Sequence, residues 1–114
     1  MTSRSLIPLI ATFLASVATA EQPSNGQQAF YLNCMACHQL DTTTVGPSLV
    51  QIAQTYPKRK RKEFIAWTVN PGKKNPALIE MPSMAHVPEE DLINIHDHIL
   101  SITKGKTHKK GKRQ

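Results

Sequence analysis

The chain has 114 residues, with 14 Lys and Arg against 8 Asp and Glu, and its sequence pI is about 9.6. Residues 21–103 are nearly neutral, so the excess positive charge lies in two runs, at 58–62 and 104–114, and a uniformly basic surface is excluded. A chain this short buries a modest core and often depends on a disulfide, a metal or a cofactor to fold.

Residues 1–20 have the pattern of a secretory signal peptide. Arg4 precedes an apolar run, and the small residues Ala18 and Ala20 stand where a signal peptidase reads the chain. The run is shorter than the roughly 20 apolar residues that span a bilayer, and no later segment is apolar enough to do so. We expect cleavage between Ala20 and Glu21, and a mature protein in the periplasm or otherwise exported.

The mature chain predicts an all-α fold in one domain, residues 21–103. Ser24 is a candidate N-cap, with Gln27 in the capping-box position, and Ser48 is a second candidate N-cap. No stretch alternates with period two for long enough to indicate a strand. The predicted helices span residues 27–33, 49–55 and 58–69, followed by a last helix from 89.

The last helix has the clearest sequence signal. Three acidic residues occupy its first turn, where the helix dipole favours anions. Gly105 is in position to stop the helix. One apolar stripe is expected to face the core, and it consists of Leu92, Ile95, Ile99 and Ile102.

Cys34 and Cys37 are the two cysteines of the chain, and His38 follows directly. A disulfide between them would close so small a loop that it removes little unfolded-state entropy. A thioredoxin-like dithiol needs alternating strands and helices, and zinc needs two further ligands at suitable spacing; the sequence shows neither. Cys-x-x-Cys-His is the attachment signature of c-type haem, in which both thiols form thioethers and the histidine ligates iron.

Residues 26–102 resemble a small class I cytochrome c of bacterial type. The likeness rests on Gly26-x-x-x-Phe30 ahead of the haem motif and on Val45-Gly46-Pro47 after it. It implies short helices wrapped around one covalent haem c, with the first and last helices packed together. It also implies a hydrogen bond from the ring of His38 to the Pro47 carbonyl, which would fix the tautomer of that ligand.

The pair Met81-Pro82, ahead of the last helix, resembles the ligand loop of the same family. The resemblance implies that the Met81 thioether is the second axial ligand of iron, with Met84 as the alternative. Histidines 86, 96 and 98 are expected at the surface or in helix interfaces. Trp67 is expected to pack in the core, with a hydrogen bond to a haem propionate as the alternative.

An iron with two protein ligands has no open position, so the expected function is electron transfer and not catalysis. The main hypothesis is a periplasmic monohaem carrier that passes single electrons between redox proteins. The alternatives are a haem subunit fixed within an oxidoreductase complex and a five-coordinate haem that binds gas or peroxide.

The two basic runs indicate possible partners. The run at 58–62 opposes a helix dipole, which favours either a docking surface for an acidic redox protein or a solvated helix end. Its members are Lys58, Arg59, Lys60, Arg61 and Lys62. The tail at 104–114 has no apolar residues and is expected to be disordered, with contact to a membrane surface as one role. Nucleic acid is not an expected partner.

Overall fold

The computed structural model describes residues 24–72 and 74–106. They form four α-helices, and no strand occurs within these ranges, so the all-α prediction is confirmed. The helices are α1 (Asn25–Asn33), α2 (Leu49–Thr55), α3 (Arg61–Val69) and α4 (Glu89–Ile102), with a 3-10 turn at Lys58–Lys60 before α3. The signal peptide predicted at 1–20 and the tail beyond 106 lie outside the described residues.

The first and last helices pack against each other, as expected, and Gly26 permits their close approach. A Cβ atom built at this glycine would lie only 2.3 Å from the carbonyl oxygen of Asn94 in α4. A few residues further along α1, Phe30 is buried and its ring lies 5.4 Å from the ring of His98. The contact fixes the end of α1, where the haem motif begins, against α4.

Serine side chains cap the N-termini of α1 and α2. The Ser24 hydroxyl accepts a hydrogen bond from the backbone N–H of Gln27. Ser48 has a complete capping box, because the Gln51 side chain also accepts from the backbone N–H of Ser48. These bonds satisfy N–H groups that the helix itself leaves without partners.

The third helix is not continuous from residue 58, in contrast to the prediction. Lys60 has φ −104° and ψ 21°, and it separates the 3-10 turn from α3. No side chain caps the start of α3, and Glu63 is the acidic residue in its first turn. The chain thus enters α3 through a short, tighter turn, at the end where the run of cations opposes the helix dipole.

The stripe on α4 is buried at Leu92, Ile95 and Ile99, but Ile102 is 37% exposed, so its expected place in the core is wrong. The buried Thr103 turns inward at this end of the helix instead, and its hydroxyl donates to the Ile99 carbonyl at 2.7 Å. The helix ends at Ile102, ahead of Gly105, which has a φ of 82° in the turn that follows. Within the described ranges no helix has the length and apolar character to cross a membrane.

Candidate functional site

The haem motif continues directly from α1 as a hydrogen-bonded turn. Cys34 is the C-cap, and its backbone N–H donates to the Phe30 carbonyl at 2.8 Å. The N–H groups of Cys37 and His38 then both donate to the Cys34 carbonyl, at 3.2 and 3.1 Å. Both cysteines are free and partly buried, so the turn presents two thiols and an imidazole from one short segment.

The loop after the motif is bonded back onto it. The Gly46 N–H donates to the Cys37 carbonyl at 2.9 Å, and the Leu49 N–H at the start of α2 donates to the Gln39 carbonyl at 2.8 Å. These bonds hold residues 44–48 beside His38.

The His38 ring is oriented by Pro47. Its Nδ1 lies 2.8 Å from the Pro47 carbonyl oxygen, and because a carbonyl only accepts, Nδ1 carries the proton. The other ring nitrogen, Nε2, therefore has its lone pair free to bind a metal. A hydrogen bond of this kind fixes the ring and strengthens its donor nitrogen.

Gly46 supplies the space that His38 occupies. A Cβ atom at position 46 would lie 2.5 Å from Cε1 and 2.9 Å from Nδ1 of the imidazole. No side chain fits there without moving the ring, so the glycine and the ring are packed as a unit.

The motif opens onto a cavity of about 380 Å³, within the size range of small-ligand and cofactor sites. Its walls come from the motif, from all four helices and from the loop that precedes α4, and they are mainly apolar. The side chains that line it include Cys34, Cys37, His38, Tyr56, Phe64, Trp67, Lys74, Met81 and Met84.

The two candidate methionines both line this cavity but differ in their surroundings. Met84 is 9% exposed, its N–H donates to the Thr68 carbonyl at 2.8 Å, and its own carbonyl accepts from Val87 at 2.9 Å. Met81 is partly buried at the edge of the core. Thus Met84 is already a packed core side chain, whereas Met81 lies at the margin of the cavity.

Sequence reasoning missed a polar group at the rim, formed by Lys74 with two aromatic residues. The Lys74 ammonium lies 4.1 Å from the ring centroid of Trp67 and 4.8 Å from that of Tyr56, and it donates to the Tyr56 hydroxyl. These are cation–π distances. No periodic pattern links positions 56, 67 and 74, so only the folded chain brings them together.

The thiol of Cys34 does not have the character of a redox-active cysteine. Burial, and secondarily the neighbouring Cys37, raises the pKa of the Cys34 thiol to about 11. Reactive dithiols instead have a lowered thiol pKa. In the described part of the chain no three His, Cys, Asp or Glu side chains gather as a metal site, so the zinc alternative lacks its further ligands there.

Three further histidines in the described ranges, His86, His96 and His98, are not among the residues that line the cavity. His86 is exposed, and His98 packs against Phe30 in the contact between α1 and α4. His96 is completely buried and hydrogen-bonded at both ring nitrogens. This agrees with the expectation that they occupy the surface or helix interfaces.

The basic run at 58–62 does not form a single surface. Lys58, Arg59 and Lys62 are exposed, and Lys60 lies 3.6 Å from the Glu63 carboxylate. Arg61 instead turns inward, where its guanidinium pairs with Asp97 and donates to His96 in α4. Arg61 is therefore part of the helix packing and not of an exposed cationic surface.

The residues present fit a covalently bound haem. The donor set consists of two thiols, an oriented imidazole with a free Nε2, and thioethers, all on one mainly apolar cavity. The Lys74 ammonium at the rim is opposite in charge to the acidic side chains of the macrocycle. The glycine at 46 also keeps the space beside the imidazole clear.

Comparisons with known proteins agree with this geometry. The family model described as cytochrome c matches residues 23–103. Cytochrome c-552 of Nitrosomonas europaea is 35% identical over 72 residues, which cover 61% of this chain and 70% of that protein. No solved structure gives a significant match.

Proposed function

Because the chain belongs to the cytochrome c family, whose members bind haem c covalently and transfer electrons, we propose that it is an exported monohaem carrier. It passes single electrons between redox proteins in the periplasm. The observation that carries the proposal is the convergence of both cysteines, His38 and two methionines on one cavity. The signal-peptide pattern of residues 1–20 supports export.

Cys34 and Cys37 hold the haem through thioether bonds, and the bound haem supplies a metal centre that gains and loses one electron. The two cysteines start from one helical turn, so the attachment points are fixed to α1 and through it to α4. Holding the group rigidly keeps the structural change on electron transfer small.

His38 would bind the iron of the haem through Nε2. The Pro47 carbonyl, 2.8 Å from Nδ1, keeps the proton on the opposite nitrogen and stops the ring from rotating. Gly46 keeps that ring position accessible.

Met81 would be the second protein ligand of the iron, through its thioether. Its side chain lines the cavity and is only partly buried against the core, and Pro82 stiffens the backbone beside it. Met84 is held by its hydrogen bond to Thr68 and packs in the core, a common role of methionine.

Lys74 and the Tyr56 hydroxyl bind the acidic side chains of the haem, and the ring of Trp67 packs beneath the ammonium group. Within the described residues no carboxylate pairs with Lys74, and the cation is held next to two aromatic faces instead. It therefore keeps its charge available for the carboxylates of the cofactor.

The exposed cations Lys58, Arg59 and Lys62 form the docking surface for an acidic redox partner. Charge of this kind raises the rate of encounter more than it raises affinity. Lys60 shares its charge with Glu63, and Arg61 is removed from the surface by Asp97.

Spectra of the purified holoprotein and of two methionine variants test the proposal. Met81→Ala is expected to lose the optical and magnetic signature of thioether ligation and to bind carbon monoxide rapidly when reduced. Met84→Ala is the matched control: it keeps the signature but loses about 2–5 kcal/mol of stability, as buried methionine truncations do.

The opposite pattern, with thioether ligation lost in Met84→Ala alone, would assign the ligand to Met84. A purified protein without covalent haem would refute the carrier function itself.

A further inference from the structure

His96 is a histidine to which the proposed electron-transfer function assigns no role. It lies on α4, and its side chain is 0% exposed. The ring is stacked on Phe64 of α3, with the centroids 4.5 Å apart and the planes 20° apart. Completely buried histidines are uncommon unless both ring nitrogens have partners.

Both nitrogens of His96 have a partner. Nε2 lies 2.7 Å from the Tyr56 carbonyl and must donate to it, and Nδ1 accepts from Nε of Arg61 at 3.3 Å. The guanidinium of Arg61 in turn pairs with Asp97. The ring is therefore held as one neutral tautomer between a carbonyl at the end of α2 and a side chain of α3.

The same two elements form the wall of the cavity next to Lys74. The rings of Tyr56 and Phe64 meet edge to face at 6.0 Å, and both line the cavity. The Tyr56 hydroxyl receives the hydrogen bond from Lys74. A displacement of the Tyr56 backbone would thus move the hydroxyl and the ammonium group together.

We propose that His96 is a positioning residue for the haem cavity: it joins the Tyr56 carbonyl to the Arg61 side chain and thereby fixes where Tyr56 and Lys74 stand at the rim. The inference rests on the proposed haem-binding function. Its consequence is that the ring of His96, which does not line the cavity, determines where the Lys74 charge lies relative to the redox centre.

Charge at the rim acts on the redox equilibrium in a known direction. A cation favours the reduced state, which carries one positive charge less. Lys74→Met is therefore expected to lower the equilibrium constant for reduction by a redox mediator about threefold, the size of a partly exposed charge interaction. His96→Leu removes both hydrogen bonds and is expected to lower it in the same direction.

The test is a double-mutant cycle on the holoprotein with His96→Leu, Lys74→Met and the pair. Coupled residues are non-additive, so the pair is expected to show no further fall beyond Lys74→Met. His96→Gln can still donate to Tyr56 and accept from Arg61, and it is expected to restore the wild-type value. Ser101→Ala, at an exposed position of the same helix, is the control and leaves the value unchanged.

A wild-type redox equilibrium in His96→Leu, or full additivity with Lys74→Met, would overturn the inference even if the variant is less stable. If His96→Leu does not fold, His96→Asn replaces it, because its side chain is too short to reach both partners. If haem is bound but the double-mutant cycle gives the contradicting result, only the role proposed for His96 is refuted. If the purified protein contains no haem, the proposed function is refuted as well.

Discussion

Gly46 illustrates how a single position can control a side chain, here His38, the proposed ligand of iron. The Cβ that glycine lacks would lie 2.5 Å from the imidazole, well inside van der Waals contact. The imidazole is also bonded to Pro47, so it cannot move away without losing the hydrogen bond that fixes its tautomer. Space and orientation at the ligand therefore depend on two adjacent residues.

We expect Gly46→Ala to displace the His38 ring and to destabilise the holoprotein by about 1–3 kcal/mol, as overpacked sites do. Denaturant unfolding and the ligand-field spectrum measure the two effects. Gly72→Ala is the matched control, because a Cβ there would meet Trp67 at an ordinary 3.6 Å. Equal losses in both variants would contradict the steric explanation.

The family resemblance implied the contact between His38 and Pro47, but neither the resemblance nor any local pattern predicted the contacts of Lys74. His38 and Pro47 are joined by a loop of a few residues, and a hydrogen bond links them in the structure. The contact of Lys74 with Tyr56 and Trp67 depends on how α3 and the following loop fold back. No spacing rule connects those positions, so the sequence could not predict that the three side chains meet.

At the scale of single elements, α4 differs from a simple amphipathic helix. Its apolar stripe packs on the core as the 3.6-residue period predicts, but His96 and His98 are set among the same contacts. Sequence periodicity identified the helix. It could not show that one histidine is completely buried, because that depends on the carbonyl of Tyr56 and on Arg61 reaching it.

We expect the free energy of unfolding to fall as the pH decreases below about 6.5. Burial lowers the pKa of His96 and of His98 in the folded protein, so the unfolded chain takes up protons there first. The contribution of these histidines to the free energy of unfolding is therefore fully present above their pKa in the unfolded chain. Below that pH the free energy of unfolding declines, by at most about 1.4 kcal/mol per pH unit for each proton.

Denaturant unfolding of the holoprotein between pH 5 and pH 8 measures this decline. His96→Gln is expected to have a shallower dependence than the wild type, and His86→Gln, at an exposed position, the wild-type slope. A slope unchanged by His96→Gln would show that the buried ring is not a source of the pH dependence.

For the molecule as a whole, the positions of the charged side chains matter more for docking a partner than the net charge does. The formal net charge is +6, but the cations of the run at 58–62 are used in different ways. Arg61 is paired with Asp97 between α3 and α4, and Lys60 with Glu63, which leaves three exposed cations without a described ion pair. Lys106, at the start of the basic tail, lies 3.6 Å from Asp41.

We expect Lys62→Glu to slow electron transfer to an acidic copper protein about tenfold at low salt, because it reverses one charge of the docking surface. Stopped-flow measurements over a range of ionic strength give the rate constant and its salt dependence. Lys104→Glu makes the same charge change outside the run and is expected to have a smaller effect. Equal slowing by both variants would indicate that net charge, and not a local surface, guides the encounter.

Trp67 gives this chain a built-in optical reporter. It is the single tryptophan of the sequence, and it lines the cavity. If haem is held at Cys34 and Cys37 as proposed, we expect the macrocycle to quench the indole emission, so that the folded holoprotein is nearly dark. Unfolding separates the indole from an attachment point about 30 residues away, so fluorescence appears only when the cavity opens.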